Sequence, residues 1–182
     1  MKYVALLRGI NVGGNAKVEM PRLKKVFESV GCTAVSTYIN SGNVVFDDNR
    51  PRDMLTERIE DAIAKEFGMD IKIVLRDEAS IQAICRISPA SWTNDSNQKT
   101  DVLFLWEEID DPSIIDRVVI NPDIENVRYA GGALVWNIGR ENATRGGGVK
   151  LIKTDMYKLM TVRNINTVRK LQELMEQGVP SD

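Results

Sequence analysis

The sequence predicts an α+β protein of two tandem ferredoxin-like halves with antiparallel sheets, followed by a helical C-terminal tail. Three observations carry this. Short β-rich runs alternate with stretches of helical period. Residues 1–75 follow the order β-α-β-β-α-β. After residue 100 the pattern begins again with a recognisable echo of its start. The first half is expected over residues 1–87, a polar linker over 88–100, and a diverged second half with its C-terminal helices over 101–182.

Tyr3–Leu7 is an apolar run of strand length, closed by Arg8. Arg8-Gly9-Ile10-Asn11-Val12-Gly13-Gly14 follows, and no apolar periodicity returns until Leu23. A strand-to-helix connection usually takes two to six residues, and this one takes about twice that. Pro21 suits the first turn of a helix, where its missing N–H is no loss. Leu23, Val26, Phe27 and Val30 then mark one buried face, and Gly31 sits where a left-handed cap belongs. Val35–Ile39 and Val44–Phe46 flank Asn40-Ser41-Gly42-Asn43, which reads as a hairpin. A second helix starts near Arg52, turns Leu55, Ile59, Ala62, Ile63 and Phe67 inward, and stops at Gly68. Ile71–Leu75 supplies a fourth strand, and a short helix covers about Glu78 to Arg86.

The second half opens with the strand Val102–Trp106, and Asp111-Pro112 starts a helix carrying Ile114, Ile115 and Val118. Val127–Ala130 and Leu134–Ile138 flank Gly131-Gly132 as another hairpin. Lys2–Leu7 aligns onto Thr100–Leu105, and Ser41–Phe46 onto Gly131–Trp136. The offsets differ by eight residues, a surplus assigned to the Arg8–Met20 connection of the first copy. Gly146-Gly147-Gly148 reads as a flexible joint. Thr161–Thr167 leads into a final helix, with Asn166 as its N-cap and Gly178 as its stop.

Composition narrows the chemistry. Charged residues at 27% and apolar residues at 43% are ordinary for a globular chain. A net charge of −2 gives no electrostatic case for gripping nucleic acid or an anionic membrane. The five-residue apolar start is too short for a signal-peptide core or a membrane span. Cys32 and Cys85 lie in apolar helical contexts without a CxxC pattern, which fits a reducing, cytoplasmic compartment. The chain has no histidine. That excludes Ser-His-Asp and Cys-His catalysis and histidine metal sites.

Motif by motif, most familiar chemistries fall away. Gly9 and Gly14 have the spacing that opens a Walker A loop, but Asn15 and Ala16 stand where its Lys and Ser/Thr belong. What remains is a loop of backbone N–H groups between Arg8 and Lys17, a concavity suited to an anion. Arg163 and Arg169 beside Asn164 and Asn166 make a second cationic, amide-rich stretch at a helix start. Asp47-Asp48 and Asp110-Asp111 read as strand ends and caps, and no metal is expected. Strand three, Asn43-Val-Val-Phe-Asp, lacks the RNA-recognition signature. The hairpin is expected at the sheet end where the first strand begins, away from Arg8. On that reading a shared site needs the second half or the tail to bridge them.

Leu6–Gly14 with Met20, Tyr38–Phe46 and Thr161–Val168 together resemble the bacterial domain-of-unknown-function family numbered 1697. Ile165 stands where that family often has an aromatic residue. The resemblance implies a two-part α/β protein and no particular reaction. Its signature blocks coincide with Arg8, Asn11, Asn40, Ser41, Asn43, Arg163, Asn164, Asn166 and Thr167.

The resulting expectation is a protein that binds a small anionic ligand, a nucleotide or phosphorylated metabolite, between its halves. Arg8 and Arg163 pair with the anion, the amides of Gly13 and Gly14 cradle it, and the asparagines orient it. Lys17 joins the ligand set. The alternatives are a transferase or hydrolase acting on such a ligand, with an Asp/Glu, Lys17 or Tyr as acid–base group, and a nucleic-acid-binding module. No cofactor, catalytic residue or oligomeric state follows from the sequence.

Overall fold

A computed structural model describes residues 1–14 and 16–177. The protein is α+β, with two four-stranded antiparallel sheets and six α-helices among these residues. It divides into two compact units. One holds Met1–Glu78 with residues 173–177, and the other holds Ala79–Gln172.

In the first unit, β1 (Lys2–Leu7), β2 (Thr33–Tyr38), β3 (Asn43–Asp47) and β4 (Ile73–Asp77) order as β2-β3-β1-β4. Helix α1 (Met20–Ser29) turns Leu23, Val26 and Phe27 inward, and α2 (Arg52–Phe67) turns Leu55, Ile59 and Ile63 inward. These six join Tyr3, Ala5, Leu7 and Phe46 in one core. Tyr3 and Phe46 are register partners with stacked rings, and Phe27 meets Phe46 edge-on at 5.2 Å. Val4, Leu6, Val45 and Val74, on the alternate face, are buried as well. Burial on both faces is why these strands read as unbroken apolar runs. The caps follow the sequence. Pro21 lies in the first turn of α1, Gly31 has φ 94, and Gly68 ends α2 at φ 67.

Beyond the first sheet, α3 (Glu78–Ile87) precedes β5 (Gln98–Leu105), α4 (Ile114–Arg117), β6 (Glu125–Ala130) and β7 (Ala133–Gly139) of the second unit. Then come α5 (Gly147–Leu151), a 3-10 turn over Asp155–Leu159, β8 (Met160–Asn164) and α6 (Ile165–Gln177). The sheet order is β6-β7-β5-β8. Leu103, Leu105, Ile109, Ile114, Leu134, Trp136, Leu151 and Met160 form the core of one face.

The two sheets share a register. Val4 pairs with Val45 and Arg76, and Val102 pairs with Val135 and Arg163. Leu7 N donates to Gly42 O at 2.9 Å, and Leu105 N to Gly132 O at 3.0 Å. The eight-residue surplus of the first copy is spread more widely than the sequence suggested. Helix α1 has ten residues against four in α4. The β2–β3 loop has four residues (39–42), where Gly131-Gly132 suffices between β6 and β7.

Three local expectations change. Thr161–Asn164 belongs to β8 rather than to a lead-in for the final helix. Asn164, not Asn166, caps that helix, its Oδ1 accepting from Thr167 N at 2.9 Å. Gly146–Gly148 is no flexible joint. A Cβ on Gly147 would stand 1.6 Å from Val119 O, so glycine is there for close packing. The expected stop at Gly178 lies outside the described residues.

Candidate functional site

The register of β1 and β3 decides where the two N-terminal blocks stand. Lys2 pairs with Asp47 and Leu6 with Asn43, because antiparallel neighbours set the start of one strand beside the end of the other. The β2–β3 hairpin therefore lies at the end where β1 finishes, beside the glycine-rich loop. This corrects the expectation that the two lie at opposite ends. They meet within the first unit.

Asn11 makes the junction. Its Nδ2 donates to Val18 O at 2.9 Å and to Asn40 O at 2.8 Å, while its Oδ1 accepts from Val18 N at 2.8 Å. Its own N–H donates to Ala16 O at 3.1 Å. A left-handed residue, φ 54, thus closes the loop on itself and ties it to the hairpin. Asparagine tolerates that conformation better than most side chains. Both Nδ2 protons are used in this brace, so Asn11 shapes the site.

Below this brace the loop is fixed by apolar packing. Ile10 and Val18 are buried, and a Cβ on Gly42 would come within 2.6 Å of Ile10 Cδ1 and 2.8 Å of Leu7 Cβ. Gly42 is therefore the close-approach glycine of the hairpin. Gly9, Gly13 and Gly14 differ from it: each has positive φ, and a Cβ on any of them would meet nothing within 4 Å. They serve backbone shape in the open. Asn43 is fully buried, and its Nδ2 donates to Tyr38 O at 2.9 Å and Ser41 Oγ at 3.1 Å, which locks the hairpin turn.

Asn11, Gly14, Lys17, Val18, Glu19, Met20, Pro21 and Asn40 line one open concavity of about 530 Å³. Residues from two separated blocks of the sequence thus share a surface. Lys17 is exposed, and the start of α1 enters the wall at Met20. The N-cap residue, Glu19, makes no side-chain capping bond. A helix N-terminus carries partial positive charge in its first-turn amides. Arg8 is half-buried at the loop's root, its N–H donating to Lys72 O at 3.0 Å, and is not among the lining residues. Two apolar residues stand out on the rim segments. Val12 is 65% exposed and Ile39 is 48% exposed, the latter with φ 50. A β-branched residue in that region is a strained outlier.

The family described as "Protein of unknown function (DUF1697)" matches residues 1–136. The chain belongs to the DUF1697 family. Among solved structures, this DUF1697 protein is similar to the conserved bacterial protein SP0830 from Streptococcus pneumoniae. The two are 28% identical, with a TM-score of 0.81, over 96% of this chain and 98% of that one. No curated protein matches the chain. No helix among the described residues is long and apolar enough to cross a membrane.

The third block lies outside the matched span and is held within the second unit of this DUF1697 protein. Arg163 is buried, and its Nη1 donates to Thr161 Oγ1 at 3.1 Å and Val162 O at 2.8 Å. Burial pulls its guanidinium down to about 10, so it stays cationic at neutral pH. It occupies the strand position that matches Arg76 in the first unit. Arg76 is buried too, and likewise donates from Nη1 to the carbonyl of the residue before it, Leu75 O. Asn166 Nδ2 donates to Asn94 O, and Thr167 is buried beneath the Asn164 cap.

Sequence reasoning missed one polar centre altogether. Glu125 is 3% exposed, and its carboxylate accepts from Trp136 Nε1, Asn121 N and Gly147 N. Nothing in a lone Glu at a strand start signals three converging donors, two of them 11 and 22 residues further along the chain.

Proposed function

We propose that this DUF1697 protein binds a small anionic ligand, a phosphorylated metabolite or mononucleotide, in the concavity beside the end of β1. The supporting observation is the Asn11–Asn40 link, which makes one braced surface from two loops that folding alone does not require to be joined. Lys17 supplies the charge. The amides of Gly13, Gly14 and the start of α1 supply donors, and the exposed Asn40 supplies an orienting amide. Glu19 shares the concavity, so its local charge suits a small anion better than a polyanion.

Several finer readings go with this one. The order β2-β3-β1-β4 with two covering helices supports a ferredoxin-like first unit. The matching order of the second sheet extends that reading to the second unit, with α4 and α5 shorter than α1 and α2. Two free cysteines support a cytoplasmic location.

Calorimetric titration with pyrophosphate, ribose 5-phosphate and AMP tests the site. Binding to at least one is expected, weakened about tenfold or more by Lys17→Ala. Absence of heat with all three, or binding indifferent to both Lys17→Ala and Asn40→Ala, overturns it.

A further inference from the structure

The second unit uses the helix-covered face of its sheet in a way the first does not. In the first unit Tyr3 and Phe46 stack under the long helices. The matching register positions in the second are Asp101 and Trp136. The sixteen residues of α2 are succeeded there by the five of α5 and a 3-10 turn. A cavity of about 120 Å³ results, lined by Lys99, Asp101, Trp136, Gly148, Ile152 and Tyr157 among others.

Its size is close to that of an apolar cavity of about 150 Å³ that accepts benzene, so one ring fits. Its chemistry is not apolar throughout. Lys99 Nζ lies 3.3 Å from Asp101 Oδ2, and both side chains keep solvent exposure, 43% and 25%. A guest that entered without polar atoms would strip water from this pair and return nothing. An anionic guest would meet the Asp101 carboxylate. The guest that satisfies both ends is flat, of one ring, with a donor beside an acceptor. Ile152, 57% exposed although it lines the cavity, and Val149 supply apolar surface at the rim.

We propose that this cavity binds a planar single-ring heterocycle of the pyrimidine-base type. The ring packs against Trp136. An amino N–H donates to the Asp101 carboxylate, the pairing by which acidic side chains meet the cytosine amino group, and Lys99 donates to the adjacent ring acceptor. The site is separate from the concavity of the first unit and does not depend on that reading.

Amide NMR of the full chain titrated with cytosine, and in parallel with toluene, tests it. Cytosine is expected to shift the Trp136 indole N–H and the Gly148 amide, with toluene moving neither. Asp101→Asn is expected to weaken the cytosine response about tenfold. Gly148→Leu abolishes it by filling the cavity, since a Cβ there finds only ordinary contact with Trp136 at 3.9 Å. Lys17→Ala leaves it unchanged. Failure of cytosine to move either signal at millimolar concentration overturns the proposal. So does a toluene response equal to that of cytosine and indifferent to Asp101→Asn.

Discussion

The two units share a sheet and differ in nearly everything attached to it. Register pairs, strand order and even the hydrogen bond from the end of the first strand to the hairpin glycine coincide. The connections do not. The first unit has a long loop and a four-residue hairpin, stitched together by Asn11, above a face packed by α1 and α2. The second has a two-residue glycine turn and the short helices α4 and α5, with a cavity and the buried Glu125 on that face. A sheet's hydrogen bonds fix its register collectively, whereas loops and covering helices can change one at a time. Polar novelty has gathered at a strand end in one unit and beneath the helices in the other.

The glycines give the sharpest way to break this comparison. Gly147→Ala should have the largest effect, a loss of about 4 kcal/mol in thermal unfolding, because the new Cβ meets a backbone carbonyl that cannot step aside. Gly42→Ala should follow at about 3 kcal/mol, combining the clash with Ile10 and Leu7 with its φ of 79. Gly13→Ala, strained but unobstructed, should cost only about 1 kcal/mol. Equal losses at Gly42 and Gly13 would mean that the loop is packed throughout, not braced at its root.

Two smaller effects sharpen the account of the first unit. Asn11→Ala should lose about 2 kcal/mol and raise hydrogen exchange at Val18, whose N–H loses its acceptor. Asp48 is held at about 2 chiefly by its hydrogen bonds with Arg50, below its ordinary value of 3.8. A depressed carboxyl adds stability above the unfolded value, and that stability is lost as pH falls through the folded one. The wild type should therefore shed about 2 kcal/mol between about pH 4 and pH 2 that Asp48→Asn lacks at every pH. A final test has no stability cost. Burial, then the Asp48 charge, pushes the neighbouring Cys32 thiol up to about 12, so it should resist alkylation in the native protein at pH 8 and react on unfolding.

Most of the first unit was legible in the sequence because its signals are local. Apolar runs, Pro21 and Gly68 each announce an element without help from elsewhere. β8 stayed hidden because two of its buried residues, Thr161 and Arg163, are polar, which defeats any pattern of apolar burial. The glycine triplet misled for a related reason: glycine composition cannot tell a free joint from a backbone pressed against another backbone. The candidate site was half legible. Its polar blocks could be picked out, but their meeting depends on strand direction and on one asparagine reaching 29 residues along the chain. Asn11 and Asn43 also hold the loops themselves, through bonds to Val18, Asn40, Tyr38 and Ser41 that no local sequence pattern announces.

Ile39 turns this architecture into a wager on durability. Half exposed and held at φ 50, it forgoes about 1 kcal/mol that glycine at the same place would recover. Any selection for heat resistance alone would discard it early.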